Sequence, residues 1–141
     1  MTTGQLLEKG AIYFDNIVDG MKHYENRMIR MDAQQACERF WNLWELSGYN
    51  DIYLDFYYHR LPKEAKERID EVLSPQERDY IHRMNPQNGE VIFPASEVLL
   101  SICARLNDAE ILFSTIYITG KHKSTWWGNY NKEYIVFTEN K

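Results

Sequence analysis

The segment from Ile111 to Phe137 constrains the fold most, because its residue pattern differs from that of the chain before it. Two runs rich in β-branched and aromatic residues, 111–119 and 133–138, flank a connector that carries glycines, lysines and asparagines. Such runs between turn residues are typical of antiparallel strands. The sequence therefore predicts a C-terminal β-hairpin or, with a short middle strand at 124–127, a three-stranded meander.

The residues before this segment predict mainly helices. Apolar residues at alternating three- and four-residue steps indicate a long helix from Leu6 to Met28. Asp32, with Gln35 three residues later, is a start signal for a second helix that ends near Gly48. The other elements expected in chain order are a helical segment at 51–60, a helix opened by Pro62, a helix that begins at Ser74, a short strand at 91–93 and a last helix at 94–106.

These elements define an expected fold class and domain organisation. The fold class is α+β, with a mainly helical N-terminal two-thirds packed on the small C-terminal antiparallel hairpin or meander. No repeat or linker divides the chain, so residues 1–141 are predicted to form a single globular domain. A domain of this length buries a core without help from disulfides or metals.

Cysteine usage and hydropathy predict a cytoplasmic protein. Cys37 and Cys103 lack metal-type spacing and fall on apolar helical stripes, which is typical of reduced core residues. The N-terminus has no basic region followed by an apolar run, and no apolar stretch approaches the roughly 20 residues that a membrane span needs. We therefore expect no membrane association.

Charge is distributed unevenly along the chain. Residues 1–110 hold 12 Lys and Arg against 19 Asp and Glu, whereas residues 111–141 hold 4 Lys against 2 Glu, for a net charge of −5. An acidic body disfavours nucleic acid as a partner, because such binding depends on Lys and Arg at phosphates. It favours a basic protein partner or, as the alternative, serves only solubility.

Motifs for catalysis are absent from the sequence. It holds no glycine-rich phosphate loop, nucleophile elbow, zinc-binding His-Glu-x-x-His or calcium loop, so no metal, no cofactor and no enzymatic activity are predicted. His122 is the exception that merits attention, because Lys121 and Lys123 flank it and the three together suit an anion. The alternative is an exposed histidine in a hairpin turn.

The stretch from Asp32 to Tyr58 combines acids with aromatic residues. It holds five acids against one base, Arg39, together with eight aromatic side chains. On the second helix, Trp41 shares a polar stripe with two acids, which is typical of an anchor for a basic protein partner. A neighbouring helix or the sheet that covers Trp41 is the alternative. The candidate partner-binding residues of this stretch are Glu38, Trp41, Glu45, Asp51 and Asp55.

The C-terminal connector adds a second group of candidates. Trp126 and Trp127 are consecutive, so in a strand they point to opposite faces, and one can be core while the other stays exposed. Together with His122 and Tyr130 they complete the candidate partner-binding set. Base stacking on the exposed ring is an alternative, although the aromatic motif of known stacking sheets is absent.

The segment Ser124-Thr-Trp-Trp-Gly-Asn-Tyr-Asn131, which leads into Tyr134-Ile-Val-Phe137, is similar in character to the closing strands of bacterial immunity proteins. With its small acidic domain, helices followed by a meander, and no catalytic motif, the whole chain resembles the immunity proteins of polymorphic-toxin and contact-dependent inhibition systems. That family is diverse in fold, so no functional residue is carried over. The resemblance implies tight binding to a toxin domain, often a basic nuclease, that blocks its active site.

Three functional hypotheses follow. The first is a non-enzymatic inhibitor, an immunity protein that neutralises a basic toxin domain through the acidic-aromatic surface. The second is a self-associating adaptor or phage-type regulatory protein, and the sequence leaves the oligomeric state open. The third is a small hydrolase or nucleic-acid enzyme that uses His122 with the nearby lysines and Tyr130.

Overall fold

The computed structural model describes residues 1–139, which form an α+β fold with six α-helices and one six-stranded antiparallel sheet. The strands lie in the order β1-β6-β5-β4-β2-β3. In chain order the elements are α1 (Thr3–Glu8), α2 (Ile17–His23), β1 (Glu25–Arg30), α3 (Ala33–Leu46), β2 (Ile52–Asp55), α4 (Lys63–Val72), α5 (Pro75–Arg83), β3 (Ile92–Pro94), α6 (Glu97–Asp108), β4 (Thr115–Ile118), β5 (Ser124–Gly128) and β6 (Glu133–Thr138), with 3₁₀ turns at Tyr58–Arg60 and Gln87–Gly89.

The C-terminal meander and several helix starts are confirmed. β4, β5 and β6 are consecutive antiparallel neighbours, with β5 as the middle strand. The side chains of Asp32 and Ser74 each accept a hydrogen bond from the backbone N–H three residues on, and the side chains of Gln35 and Glu77 each accept one from the backbone N–H of the cap residue. The helix opened by Pro62 begins at Lys63. The last helix is present but begins at Glu97 under a Ser96 cap, later than the predicted start at 94, because Pro94 belongs to β3.

The expected order of helices first and sheet last is wrong, because three strands are interspersed among the helices and extend the meander at both edges. β1 pairs with β6 on one side, and β2 pairs with β4 on the other side with β3 beyond it. The sheet therefore has six strands instead of the two of a hairpin or the three of a meander, and it draws on both halves of the chain.

The predicted long helix from Leu6 to Met28 is also wrong. The chain leaves α1 through Gly10, whose φ of +88° is a left-handed conformation that glycine adopts without strain. It then re-enters a helix only at α2 and becomes β1 from Glu25. The apolar residues at helical spacing mislead here, because Met21 and Met28 are 46% and 52% exposed and form no core stripe.

The segment 51–60, expected to be helical, forms β2 and a 3₁₀ turn instead. Asp51 has a left-handed backbone, with a φ of 63°, and this conformation directly precedes the strand. Ile52, Tyr53 and Leu54 are all buried, so both faces of β2 are covered and the sequence shows no alternation. A short strand of this kind has no periodicity by which to recognise it.

One face of the sheet, here called the helix face, is covered by α3 and α6. Phe40 of α3 is fully buried, and its ring meets Trp126 of β5 and Tyr134 of β6 edge-to-face at centroid distances of 5.5 and 5.6 Å. The smaller helices α4 and α5 contribute Ile69 and Ile81 to the same core. This face holds most of the buried apolar side chains.

The opposite face of the sheet, here called the open face, is covered by the N-terminal segment 1–17. Leu6 of α1 packs with Tyr53 of β2 and Tyr117 of β4 in a second, smaller apolar cluster. The buried Oγ1 of Thr125 donates a hydrogen bond to the Ile12 carbonyl at 2.6 Å, which ties the segment to β5. Because much of this segment is irregular, it covers the face incompletely.

Candidate functional site

A cleft of about 450 Å³ lies on the open face, between the N-terminal segment and strands β2, β4 and β5. This volume is within the range of small-molecule sites in proteins. The residues that line the cleft are Thr3, Tyr13, Phe14, Asp15, Asn16, Ile17, Asp55, Tyr57, Val91, Ile92, Phe113, Ser114, Thr115, Tyr117, Trp127, Gly128, Asn129 and Tyr130.

Aromatic rings from distant parts of the chain form the walls of the cleft. Tyr13 and Tyr117 lie with their ring centroids 6.2 Å apart, so the N-terminal segment meets β4. Phe113 and Tyr130 contact edge-to-face at 4.7 Å on the other side, beside Trp127 of β5. Tyr130 is 59% exposed and lies at the rim.

Asp55 is the carboxylate of the cleft. It ends β2, is half-buried, and its Oδ1 accepts a hydrogen bond of 2.8 Å from the backbone N–H of Thr115. Burial raises the pKa of Asp55 to about 6, against the lowering effect of the backbone and side-chain hydrogen bonds from Thr115. A group of this kind is the type of residue that marks functional sites.

Two tyrosines beside Asp55 are held in the neutral form. Burial, and then the negative charge of Asp55, raise the pKa of Tyr57 and of Tyr117 above the usual range for tyrosine. Both phenols therefore stay protonated at neutral pH and present a ring and a hydroxyl to the cleft without adding charge.

The nine predicted site residues separate into four groups. Three of them, Asp55, Trp127 and Tyr130, meet in the cleft.

Three tyrosines of the cleft, Tyr13, Tyr57 and Tyr117, were not predicted as site residues from the sequence. Alternation along β4 places Tyr117 on the face opposite to Ile116 and Ile118, and this pattern could have indicated it. The N-terminal contribution of Tyr13 left no such signal, because it comes from an irregular segment.

Glu38, Trp41 and Glu45 form a second group on the outer side of α3. Both glutamates are exposed, whereas Trp41 is half-buried and its Nε1 donates a hydrogen bond of 3.1 Å to the Glu97 carbonyl at the start of α6. The neighbouring helix therefore covers part of Trp41. Leu46, at the end of α3, is 84% exposed.

Trp126 lies apart from both groups, in the core of the helix face. It is buried beneath α3, with the guanidinium of Arg39 above its ring at 5.7 Å and its Nε1 bonded to the Ser124 hydroxyl at 3.0 Å. Trp127 points to the opposite face, as expected for consecutive residues in a strand. Trp126 therefore offers no surface to a partner.

Asp51 and His122 lie where the entry to β2 meets the β4–β5 turn. The Asp51 carbonyl accepts hydrogen bonds from the N–H and Oγ1 of Thr119, at 2.8 and 3.0 Å. His122 is exposed in this turn, while Tyr130 follows the other end of β5, a strand of five residues and thus roughly 17 Å long. His122 does not line the cleft, which removes the geometric support for the third hypothesis.

Two further properties of residues 1–139 bear on function. They include no group of three or more His, Cys, Asp and Glu side chains placed to hold a metal ion. None of the helices in this range is long and apolar enough to cross a membrane.

Comparison of the chain with models of known protein families, with curated proteins and with solved structures found no match. The fold and the site therefore define the class of protein only as an α+β domain with an aromatic, carboxylate-bearing cleft on one face of its sheet and an acidic helix on the other.

Proposed function

We propose that this protein is a non-enzymatic inhibitor that binds a basic protein partner, and that it acts as an immunity protein against a toxin domain. The observation that carries the proposal is the outer side of α3, where exposed Glu38 and Glu45 lie on either side of Trp41, with the exposed Glu97 of α6 adjoining. The net charge of the protein, −5, is negative like that of these glutamates. This set of residues is called the acidic face below.

The acidic face combines the two features that a binder of basic proteins needs. Its carboxylates accelerate the encounter with a positively charged surface and select against acidic competitors. Apolar area for the centre of an interface is available from the uncovered part of Trp41 and from Leu46. Because α3 is packed firmly on the core through Phe40, the face is presented on a rigid element.

The proposal includes a cytoplasmic location, as expected for a protein that protects the cell producing the toxin. Cys37 and Cys103 are free thiols, and Cys103 is fully enclosed by α6 and its neighbours. Reduced cysteines of this kind are compatible with a reducing compartment.

Charge reversal of the acidic face tests the proposal. The immobilised protein is exposed to a lysate of the source organism, and basic proteins retained are eluted with salt, purified and titrated by calorimetry. We expect Glu38→Lys with Glu45→Lys to weaken binding of that purified protein at least about 100-fold, because two attractive contacts become repulsive. The affinity of the wild type should also fall steeply with salt.

The matched control reverses two other glutamates with the same sequence spacing. Glu64→Lys with Glu71→Lys alters exposed positions of α4 and makes an identical change in net charge. Its affinity should stay within about threefold of the wild type, since global charge acts only through screened long-range forces. Equal losses in both double variants, or none in either, would contradict a specific role for the acidic face.

Self-association is the second candidate, and a separate observation favours it. Val18 and Met21 of α2 and Met28 of β1 are all exposed, and β1 is an edge strand with unpaired backbone groups on one side. Sedimentation at high protein concentration tests it directly. A dimer that Met28→Lys dissociates would support self-association, whereas a monomer at every concentration would rule it out.

A further inference from the structure

We propose that the cleft on the open face is a binding site for an organic cation, an ammonium or guanidinium group held by the Asp55 carboxylate among the surrounding aromatic rings. This site is distinct from the acidic face, because the sheet separates the two. It goes beyond the proposed function and does not depend on it.

The composition of the cleft is selective for positive charge. Seven of its lining residues are aromatic and two, Asp15 and Asp55, are acids, whereas none of those described is lysine, arginine or histidine. The faces of aromatic rings attract cations, and a carboxylate adds directional hydrogen bonds and charge. An anion would meet only repulsion from the two carboxylates.

The local environment of Asp55 also calls for a cation. The carboxyl is half-buried and accepts hydrogen bonds from the backbone N–H and the side chain of Thr115, and none of the described residues that line the cleft is cationic. Burial raises its pKa to about 6, so ionisation at neutral pH is costly. A bound cation would relieve that cost, whereas a neutral ligand would leave the charge uncompensated.

The ligand is expected to be organic rather than a metal ion. Metal sites need several oxygen, nitrogen or sulfur ligands in a convergent set, and the described residues hold no such set. The aromatic walls, by contrast, provide apolar area for methylene or methyl groups next to the charge. Both a free small amine and the side chain of a lysine or arginine in another protein carry this chemistry.

Calorimetric titration with small probes tests the site. The probes are choline, agmatine and Nα-acetyl-lysine amide, and the control ligand is 3,3-dimethylbutanol, the neutral isostere of choline. We expect at least one cationic probe to bind at pH 7.5, and the neutral isostere to bind at least about 10-fold more weakly, a difference of one charge interaction in a partly dry site. Preference for choline or agmatine indicates a free amine, and preference for the lysine amide indicates a protein side chain.

Two variants and one matched control locate the binding. Asp55→Asn keeps the size of the side chain and its acceptor for the Thr115 N–H while removing the charge, and it should weaken cation binding about 10-fold or more. Trp127→Leu removes one ring and serves as the second, independent variant. Asp51→Asn makes the same charge change outside the cleft and should leave the affinity unchanged, as should the double reversal of Glu38 and Glu45.

The pH dependence gives a further readout. Apart from Asp55, the titratable groups among the described lining residues are Tyr13, Asp15, Tyr57, Tyr117 and Tyr130, and Cys103 of α6 interacts electrostatically with Asp55. Burial raises the pKa of Tyr57, Tyr117 and Cys103, so these groups remain neutral. Cation affinity should therefore fall as the pH drops below about 6, where Asp55 becomes protonated in the free protein.

The proposal is overturned if no cationic probe binds more tightly than roughly 10 mM, an affinity of under 3 kcal/mol. It is equally overturned if 3,3-dimethylbutanol binds as well as choline, or if folded Asp55→Asn and Trp127→Leu both retain wild-type affinity. Circular dichroism confirms the fold of each variant. None of these outcomes bears on the acidic face, because its own test measures a different partner on the other side of the sheet.

Discussion

The two faces of the sheet are covered in different ways. The helix face is closed and supplies most of the core, whereas the open face keeps a cleft that is suited to binding. On the helix face, α3 and α6 are continuous helices of 14 and 12 residues, and side chains such as Phe40 and Leu100 are completely buried. On the open face, α1 and α2 have only 6 and 7 residues and an irregular stretch joins them. Long amphipathic helices close a surface, whereas short ones leave gaps.

The gap on the open face is the cleft that contains the Asp55 carboxyl. The cleft places the Asp55 carboxyl among aromatic rings, an arrangement that costs stability unless something binds there. On the helix side, in contrast, Glu38 and Glu45 are exposed, where solvent stabilises them, and the buried Glu77 is paired with Arg105. One surface is therefore suited to a small charged group and the other to a macromolecule.

The largest expected effect is on the helix face. Phe40→Ala removes a fully buried ring that contacts both Trp126 and Tyr134, so we expect the free energy of unfolding to fall by about 3–5 kcal/mol. Urea denaturation followed by circular dichroism measures this change. A loss below about 1 kcal/mol would show that this core is far looser than the packing indicates.

Asp55→Asn should have a smaller, pH-dependent effect of opposite sign on the open face. Because the folded protein raises the pKa of Asp55 to about 6, folding favours the protonated form, and wild-type stability should fall as the pH rises through that value. We expect the variant to be more stable at pH 8 by about 2 kcal/mol or less, after allowance for solvent in the cleft, and equal near pH 3. Thermal unfolding at both pH values measures the difference, with Asp51→Asn as control.

Thr125→Val tests what holds the N-terminal segment to the sheet. The substitution removes the buried hydrogen bond to the Ile12 carbonyl at nearly constant volume, so it should cost about 1–2 kcal/mol. Hydrogen exchange should rise in residues 1–17 and stay unchanged in α3 and α6. Uniform loosening of both faces would mean that the open face does not unfold separately.

The smallest expected effect is that of the double reversal of Glu38 and Glu45 on stability. Both side chains are exposed, so the free energy of unfolding should change by no more than about 0.5 kcal/mol while partner binding is lost. A large loss of stability would instead show that the acidic face belongs to the packing of α3.

Local signals in the sequence predicted part of this structure correctly. The C-terminal meander follows from alternating apolar residues between turn residues, and the starts of α3 and α5 follow from the caps at Asp32 and Ser74. Each of these features depends on residues close together in the chain. For the same reason the opposite orientations of Trp126 and Trp127 were foreseeable.

Features that depend on distant pairing could not be read from the sequence. β1 is a strand because it pairs with β6, and its Met28 happens to fit a helical spacing equally well. The cleft combines Tyr13, Asp55, Tyr117 and Trp127 from four separate segments, so only the folded sheet brings them together. The scarcity of cations near Asp55 in the sequence predicts a binding role, but it predicts the same surface as Glu45, whereas Asp55 lies in the cleft.

The strand order also has a consequence for synthesis of the protein. β4, β5 and β6 form the centre of the sheet and are synthesised after the other described strands, and Glu25 of β1 pairs with Thr138 of β6. Until β4, β5 and β6 have been synthesised, β1 and β2 have no partner on their inner edges, and Phe40 has no sheet to cover it. The sheet therefore cannot assemble before β6 has been synthesised, so a product truncated before β4 would be prone to aggregation rather than a smaller domain.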